Sequence, residues 1–418
     1  MGSTGSESGT STGSSGSVTS SGSSSNGSTS GSSTTGGLTS GTSTGSSTGG
    51  SSTGKPDAGC APGKVKFAAQ AVYAVGVNPT SVAAIGDGGF DDLVVTNQFD
   101  STVSVLVNLG DGGFAPQTTY AVGENPTAVT VGDVTGDGIW DLAVTNYGPL
   151  SADTTGTVSV LLGQSAGGFL PQMSYPAGFG PCSIVLGNFY GTGLMDIVET
   201  NIEGGSVSLF PNEVGNPGMY GLRTDYVNDL FSGYPIAVAT ADFNGDGRPD
   251  LAYVDNTNDF LDVMLSDGGG NFAPQVTYAV GSGPTSVAVG DFNGDGWPDL
   301  AVANTGPPGT VSVLFNLGDG GFAPQVTYAA GHSPRSLAVG DFNGDGRLDI
   351  AVVNGGDDDV GVLLNNGDGG FAAQVTFAVG SDPSSVAAGD LNGDGTPDLA
   401  VTSYDGGTVS VLLNACGP

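Results

Sequence analysis

Positive charge is scarce in this chain. Seven lysines and arginines and a single histidine stand against 41 aspartates and glutamates, giving a formal charge of −34. A surface of that sign excludes non-specific nucleic-acid binding, which needs basic side chains to neutralise phosphates. It also disfavours docking on anionic membranes. No apolar run approaches the roughly 20 residues that a membrane-spanning helix requires. Cysteine is nearly absent as well, with three in 418 residues, so no dense disulfide framework supports the fold. The first residues, MGSTGSESGT, have neither the basic nor the apolar region of a secretory signal, so any export signal is expected to lie outside this chain.

What the chain has in abundance is glycine, 76 residues of it, distributed in two ways. Residues 2–54 are almost entirely Gly, Ser and Thr, with too little apolar surface to offset chain entropy. Residues 1–58 are therefore expected to form a disordered linker, acting as a tether or as a Ser/Thr-rich glycosylated stalk. Residues 59–418 are read as one folded domain. From about residue 65 the sequence repeats at intervals of about 50 residues, the range of propeller blades and stacked arrays. FAPQVTYAVGSGPTSVAVGDFNGDGWPDLAVANTG (272–306) and FAPQVTYAAGHSPRSLAVGDFNGDGRLDIAVVNGG (322–356) are two copies.

Within each copy, short apolar or alternating runs such as SVAVG, DLAVAN, TVSVLFN and FAPQVTY are separated by Gly/Asp/Asn turns, with no helical period. Four antiparallel strands per unit, seven times over, predict an all-β, seven-bladed β-propeller. The chain ends on a third strand, GTVSVLLNACGP, and opens after the linker on a fourth strand, FAAQAVYAVG (67–76). The N-terminal strand is therefore expected to complete the last blade and close the ring. Closure would bring Cys60 near Cys416. A disulfide between them is expected, with two free thiols as the alternative, and the bond would imply an oxidising compartment. Cys182 occupies the place of a strand threonine and is read as inert.

Between the first and second runs of each unit lies a loop of pattern D-x-N-x-D-G-x-x-D. Four oxygen-bearing side chains so close together call for a cation, and oxygen-only donors in high coordination suit Ca²⁺. The pattern shares the start of an EF-hand loop but lacks its final glutamate, and a strand follows in place of a helix. The alternative is that the aspartates only make Asx-turns. Complete sets are Asp242/Asn244/Asp246/Asp250, Asp291/Asn293/Asp295/Asp299, Asp341/Asn343/Asp345/Asp349 and Asp390/Asn392/Asp394/Asp398. Asp133/Thr135/Asp137/Asp141 is a fifth with a weaker third ligand. The loops beginning at Asp87 and Asn188 are degenerate and are expected to be empty. About five structural calcium sites are thus expected.

These units resemble the FG-GAP/VCBS-type repeats of integrin α-subunit propellers and their bacterial relatives, on DFNGDGRPDLAY, DFNGDGWPDLAV, VLLNNGDGGF and the recurring GGFAPQ. The resemblance implies a seven-bladed propeller, calcium between strands one and two, and an extracellular or cell-surface setting. It does not fix a function. The sequence reading favours a calcium-stabilised binding or adhesion module, monomeric, recognising protein or carbohydrate. A polysaccharide hydrolase or lyase and a purely structural spacer are the alternatives. His332 in AAGHSPRS has no second histidine to work with. Trp140 and Trp297, inside the aspartate loops, are expected to pack between neighbouring loops, with sugar stacking as the other reading. A ligand is expected on the opposite loop face, where 146–157, 304–310 and 354–360 vary most. NEVGNPGMYGLRTDYVNDLFSGYP (212–235), carrying Tyr220, Arg223, Tyr226 and Phe231, is read as an altered outer strand packing on its own blade, with a binding loop as the alternative.

Overall fold

The computed structural model describes residues 64–86, 90–149, 155–227 and 233–416. The linker expected over 1–58 lies outside the described residues, as do Cys60 and Asp87. The described chain contains strands and no helix, arranged as seven four-stranded antiparallel sheets. The first blade is Pro79–Ile85, Asp92–Asn97, Thr102–Leu106 and Thr118–Ala121, and the next five repeat that order. The seventh combines Pro383–Gly389, Asp398–Ser403 and Thr408–Leu412 with Ala71–Ala74 from the other end of the domain. Tyr73 pairs with Val409 and Ala74 with Thr408, so the N-terminal strand closes the ring as the sequence predicts.

Each second strand is paired on both edges and covered on both faces, which is why DLAVAN and its counterparts are buried nearly throughout and mostly apolar in their middle. The fourth strand is the exposed edge; in Val276–Ala279 only Tyr278 turns inward. That strand is shorter than expected. FAPQ is not part of it, because Pro274 lacks the N–H a ladder needs, and Phe272 makes only a single bridge to Ser266.

Three belts hold the blades together. Every first strand opens on a proline with a register shift two residues on, as between Pro284 and Ser286. The displaced second residue reaches across to the proline carbonyl of the next blade. Thr80 donates to Pro126, Thr127 to Pro181, Cys182 to Pro235, Thr285 to Pro334, Arg335 to Pro383 and Ser384 to Pro79. Ile236 cannot donate, and Asn256 supplies the bond to Pro284 instead, at 2.9 Å. The middle belt is apolar. One buried cluster fills each gap between blades, such as Ala288, Ala301, Val311, Leu337, Ile350 and Val352 between the fifth and sixth. Outside it, the aromatic residue of each fourth strand packs edge-on against the ring that ends the next blade's turn: Tyr73 on Phe114, Tyr120 on Phe169, Tyr278 on Phe322, Tyr328 on Phe371 and Phe377 on Phe67.

Blade three keeps this plan despite its insertion. Thr224–Val227 is a complete fourth strand, Tyr220 takes the turn position against Tyr175, and Tyr226 packs on Phe272. Arg223 pairs with Asp225 at 2.8 Å. The segment is thus an altered outer strand on its own blade; Phe231 lies outside the described residues.

Candidate functional site

The described aspartate loops and the turns between third and fourth strands share one face of the ring. In the loop after Pro235–Ala241, Asp242 is the hub. Its Oδ1 accepts from the N–H groups of Gly245 (2.7 Å) and Asp246 (3.0 Å), and its Oδ2 from Gly247 (2.7 Å). Gly245 and Gly247 have φ of 74° and 81°, a conformation that glycine adopts without strain. Asn244 Oδ1 accepts from Asp246, and Asp246 Oδ1 from Arg248. The hubs Asp291 and Asp390 repeat this pattern, Asp341 accepts from Asp345 and Gly346, and Asp133 holds Gly136, Asp137 and Gly138 in the same way.

Positions three and five are held by equally local bonds. Asn293 Oδ1 accepts from Asp295 N–H at 2.8 Å, Asn343 Oδ1 from Asp345 at 2.9 Å, and Asn392 Oδ1 from Asp394 at 2.9 Å. Asp295 Oδ1 accepts in turn from Trp297 N–H, Asp394 Oδ1 from Thr396 and Asp137 Oδ1 from Ile139, each at 2.9 Å. Asp345 Oδ1 does the same with Arg347 at 3.0 Å. Thr135 departs from the asparagines. Its hydroxyl donates to Asp133 Oδ1 at 3.3 Å, so it serves the hub as a donor where the others accept.

The ninth position has a second duty that the loop pattern did not reveal. Asp250 is fully buried, its Oδ2 accepting from Phe243 N–H and its Oδ1 from Ser266 N–H, so it ties loop, second strand and turn together. Asp141, Asp299, Asp349 and Asp398 do the same. So does Asp196, in a degenerate loop whose neighbours have lost their carboxylates. Asn188 there still accepts from Gly193, at 3.1 Å. In blade one Asp92 accepts from Asn108, and Asp91 receives Asp390 N–H across the closing seam at 3.1 Å.

Burial pushes these ninth-position carboxyls up, to about 6 in Asp250 and Asp299 and about 7 in Asp349 and Asp398. The carboxylates at positions one and five push the same way. Asp196 reaches about 6 through burial alone, so burial is the larger cause.

The donor set fits a hard cation in kind: carboxylate, amide and hydroxyl oxygens only, with three carboxylates near enough to repel. In arrangement it differs from the shell the spacing predicts. Among the described residues no three acidic, histidine or cysteine side chains converge as a metal-holding group. The oxygens of Asp133, Asp137 and Asp141 are turned onto backbone N–H groups instead of one shared point. The same holds for Asp242/Asn244/Asp246/Asp250, Asp291/Asn293/Asp295/Asp299, Asp341/Asn343/Asp345/Asp349 and Asp390/Asn392/Asp394/Asp398. The physical reason is proximity, since the tight turn points its own N–H donors at these acceptors. Arginines partly neutralise two loops, Arg248 with Asp246 at 3.7 Å and Arg347 with Asp345 at 2.6 Å. A β-carbon on Gly245 or Gly318 would run into the ring of Trp297, and Trp140 packs beside the cluster between blades one and two. Trp297 thus packs between a loop and a turn of neighbouring blades, and Trp140 against the apolar core between blades.

Cys416 is disulfide-bonded and buried, and Cys182 is free. Cys60, the expected partner of Cys416, lies outside the described residues. Burial pushes the Cys182 thiol up to about 12, which leaves it an unreactive hydrogen-bond donor.

The opposite face carries the loops between strands two and three and between one blade's fourth strand and the next blade's first. Here stand Val77, Phe99, Phe179 and Tyr234, all exposed, together with half-buried Tyr147 and Tyr404. His332 Nδ1 and Asp357 Oδ1 are 2.7 Å apart, and Asp357 Oδ2 accepts His332 N–H. Arg335 meets Asp382 at 2.7 Å. Part of one candidate loop, 150–154, lies outside the described residues.

The model of the FG-GAP-like repeat matches residues 86–144, 242–302, 291–352 and 351–401, more than half of the chain. The chain belongs to the FG-GAP-like repeat family. No curated protein matches the sequence significantly. Among solved structures, an Agrocybe aegerita lectin described for recognition of non-reducing terminal N-acetylglucosamine is 20% identical with a TM-score of 0.52, covering 83% of this chain and 96% of its own. The Pseudomonas aeruginosa periplasmic gluconolactonase is 15% identical with a TM-score of 0.55, covering 75% of this chain and 85% of its own. The BBS1N domain, solved in complex with ARL6DN, is 11% identical with a TM-score of 0.54, covering 84% of this chain and 96% of its own. At such identities the likeness is one of fold.

Proposed function

We propose that this propeller is a calcium-stabilised extracellular binding module that recognises protein or carbohydrate through the loop face opposite the aspartate loops. The observation that carries the binding reading is the set of exposed apolar and aromatic side chains there, Val77, Phe99, Phe179 and Tyr234. Leaving such groups in water forgoes the stabilisation of burying them, and a loop face on a rigid ring is where partners are met. The lectin and the protein-bound propeller among the solved structures are examples of the fold serving recognition.

Calcium enters the proposal through the loops of Asp133, Asp242, Asp291, Asp341 and Asp390. Their side-chain oxygens at positions one, three, five and nine would hold the ion, which would offset the repulsion among crowded carboxylates. Binding would exchange some of the loop's internal hydrogen bonds for ion contacts, and Thr135 would turn its oxygen outward from Asp133. The ion's role is structural, because the same loops join the first two strands of each blade. A disulfide between Cys60 and Cys416 completes the proposal; closing so long a loop would add roughly 6 kcal/mol in the chain-entropy account. The test is an array of glycans and matrix proteins probed with the full chain, in calcium and in EDTA. Saturable binding in calcium supports the module. A blank array with folded protein overturns it in favour of a spacer or an enzyme.

A further inference from the structure

We infer that the seam where the ring closes, between blades seven and one, is a carbohydrate subsite for uncharged or amino-bearing sugars, built around Phe99. The inference rests on the binding-module reading and assigns it a place and a ligand class. The seam joins the two ends of the propeller: Val77 and Asn78 enter from the N-terminal side and Tyr404 from the last blade. Phe99 is 59% exposed, the most exposed of the large aromatic side chains among those described, and Val77 beside it is 50% exposed. Phe99 N–H donates to Val77 O at 3.4 Å, which sets the two residues next to each other.

The platform is rigid. Tyr404 Oη donates to Gln98 Oε1 at 2.8 Å across the seam, while Asn78 Nδ2 donates to Tyr404 O at 3.3 Å. Asp100 Oδ2 accepts Val77 N–H at 2.7 Å, and Tyr404 N–H donates to Asp382 O at 3.0 Å. A preorganised aromatic surface loses little entropy on binding. A pyranose presents an apolar C–H face that stacks on a ring, and hydroxyls that need acceptors at its rim. Asp100 and Gln98 flank Phe99 in the chain; Asp100 Oδ2 and Gln98 Oε1 each accept one bond already, and their remaining lone pairs are the acceptors this subsite would use.

Charge selects within the sugars. No loop on this face contains a lysine or an arginine. The nearby basic side chain of Arg335 is engaged by Asp382, and the imidazole of His332 by Asp357, at 2.7 Å in each case. Nothing is left to receive a uronate or a sulfate, and the surrounding carboxylates would repel one. A neutral glycan meets no such penalty, and an amino sugar gains attraction. The other exposed aromatics of this face, Phe179 and Tyr234, lie at different seams and are not part of this subsite.

Affinity electrophoresis of the full chain in calcium tests this, with β-glucan, mannan, xylan and chitosan oligomers as uncharged or basic probes and polygalacturonate and heparin as acidic ones. At least one neutral or basic probe should retard the protein. Phe99→Ala should weaken that retardation at least tenfold with an unchanged melting temperature, since an exposed ring contributes little to packing. Tyr404→Phe should weaken it about threefold, by releasing Gln98 from its bond across the seam. Leu317→Ala, at a 65% exposed side chain in a turn on the aspartate-loop face, should leave it unchanged. Retardation only by the acidic probes, or retardation indifferent to Phe99→Ala, overturns the subsite while the binding-module reading stands. Loss of binding to a matrix protein but to no glycan in Phe99→Ala overturns the ligand class alone. No binding to any glycan or protein overturns both readings.

Discussion

Glu199 breaks the repeat, occupying the middle of a second strand where the other blades place Val95, Val144, Tyr253, Val302, Val352 and Val401. It is fully buried, Oε1 accepting Gly178 N–H at 3.3 Å and Oε2 lacking a partner. Burial raises its carboxyl to about 8; Gly178 N–H, Arg223 and Asn201 oppose that rise, and Asp225 adds to it. A raised folded-state pKa stabilises the protein below the ordinary carboxyl range and forfeits that stability as pH climbs toward 8. Stability read from thermal melts should therefore fall between pH 5 and 9, by up to roughly 4 kcal/mol. Glu199→Gln should flatten that dependence; an equal slope in the variant would exclude Glu199 as its source. Asp196 offers a second contrast. Its two backbone bonds need no metal, so Asp196→Ala should cost about 2–4 kcal/mol in calcium and in EDTA alike, from stranded N–H donors. Asp242→Ala should lose most of its effect once calcium is removed. Equal calcium dependence for the two variants in chemical denaturation would remove the distinction between keystone and ligand.

At the scale of elements, the inter-blade belts explain how a chain so rich in glycine stays ordered. Tyr278 joins two blades through its ring on Phe322, at 5.7 Å between centroids, and through its hydroxyl, which accepts Phe322 N–H at 3.1 Å. Tyr278→Ala should cost about 3 kcal/mol, and Tyr278→Phe about 1 kcal/mol, by separating packing from the hydrogen bond. Comparable losses for both in urea denaturation would mean that the ring contributes little. Much of this level was legible in sequence. Alternation, Gly/Asp turns and the recurrent aromatic after GG located the strands, because each element is specified by neighbours close along the chain. The same local pattern placed Asn293, Asn343 and Asn392 in their loops, but not the backbone N–H groups that their oxygens accept. The belts were not legible. Their partners lie about 50 residues apart, and no local pattern pairs a threonine with a distant proline carbonyl.

For the whole molecule, each blade buries both faces against its neighbours, so loss of order in one blade exposes apolar surface on two others. Chelation should lower the melting temperature by many degrees if five loops hold calcium. An unchanged melt, with calcium shown absent by elemental analysis, would leave the loops as Asx-turn networks. A reducing agent should lower it further if Cys60 and Cys416 close the ring covalently.

The amino-acid order alone set the number of blades, their strand order, the unpaired strand left at each end of the domain and the positions of the aspartate loops. All of these follow from a repeat whose hydrophobic period and turn residues act over a few neighbours. Packing settled what the repeat left open. It made the ninth aspartate a buried acceptor joining three elements, even where the rest of its loop is lost. It also gathered Phe99, Val77 and Tyr404, from opposite ends of the domain, on one face. Such juxtapositions depend on the ring closing on itself, and closure is a property of packing between blades rather than of any one of them.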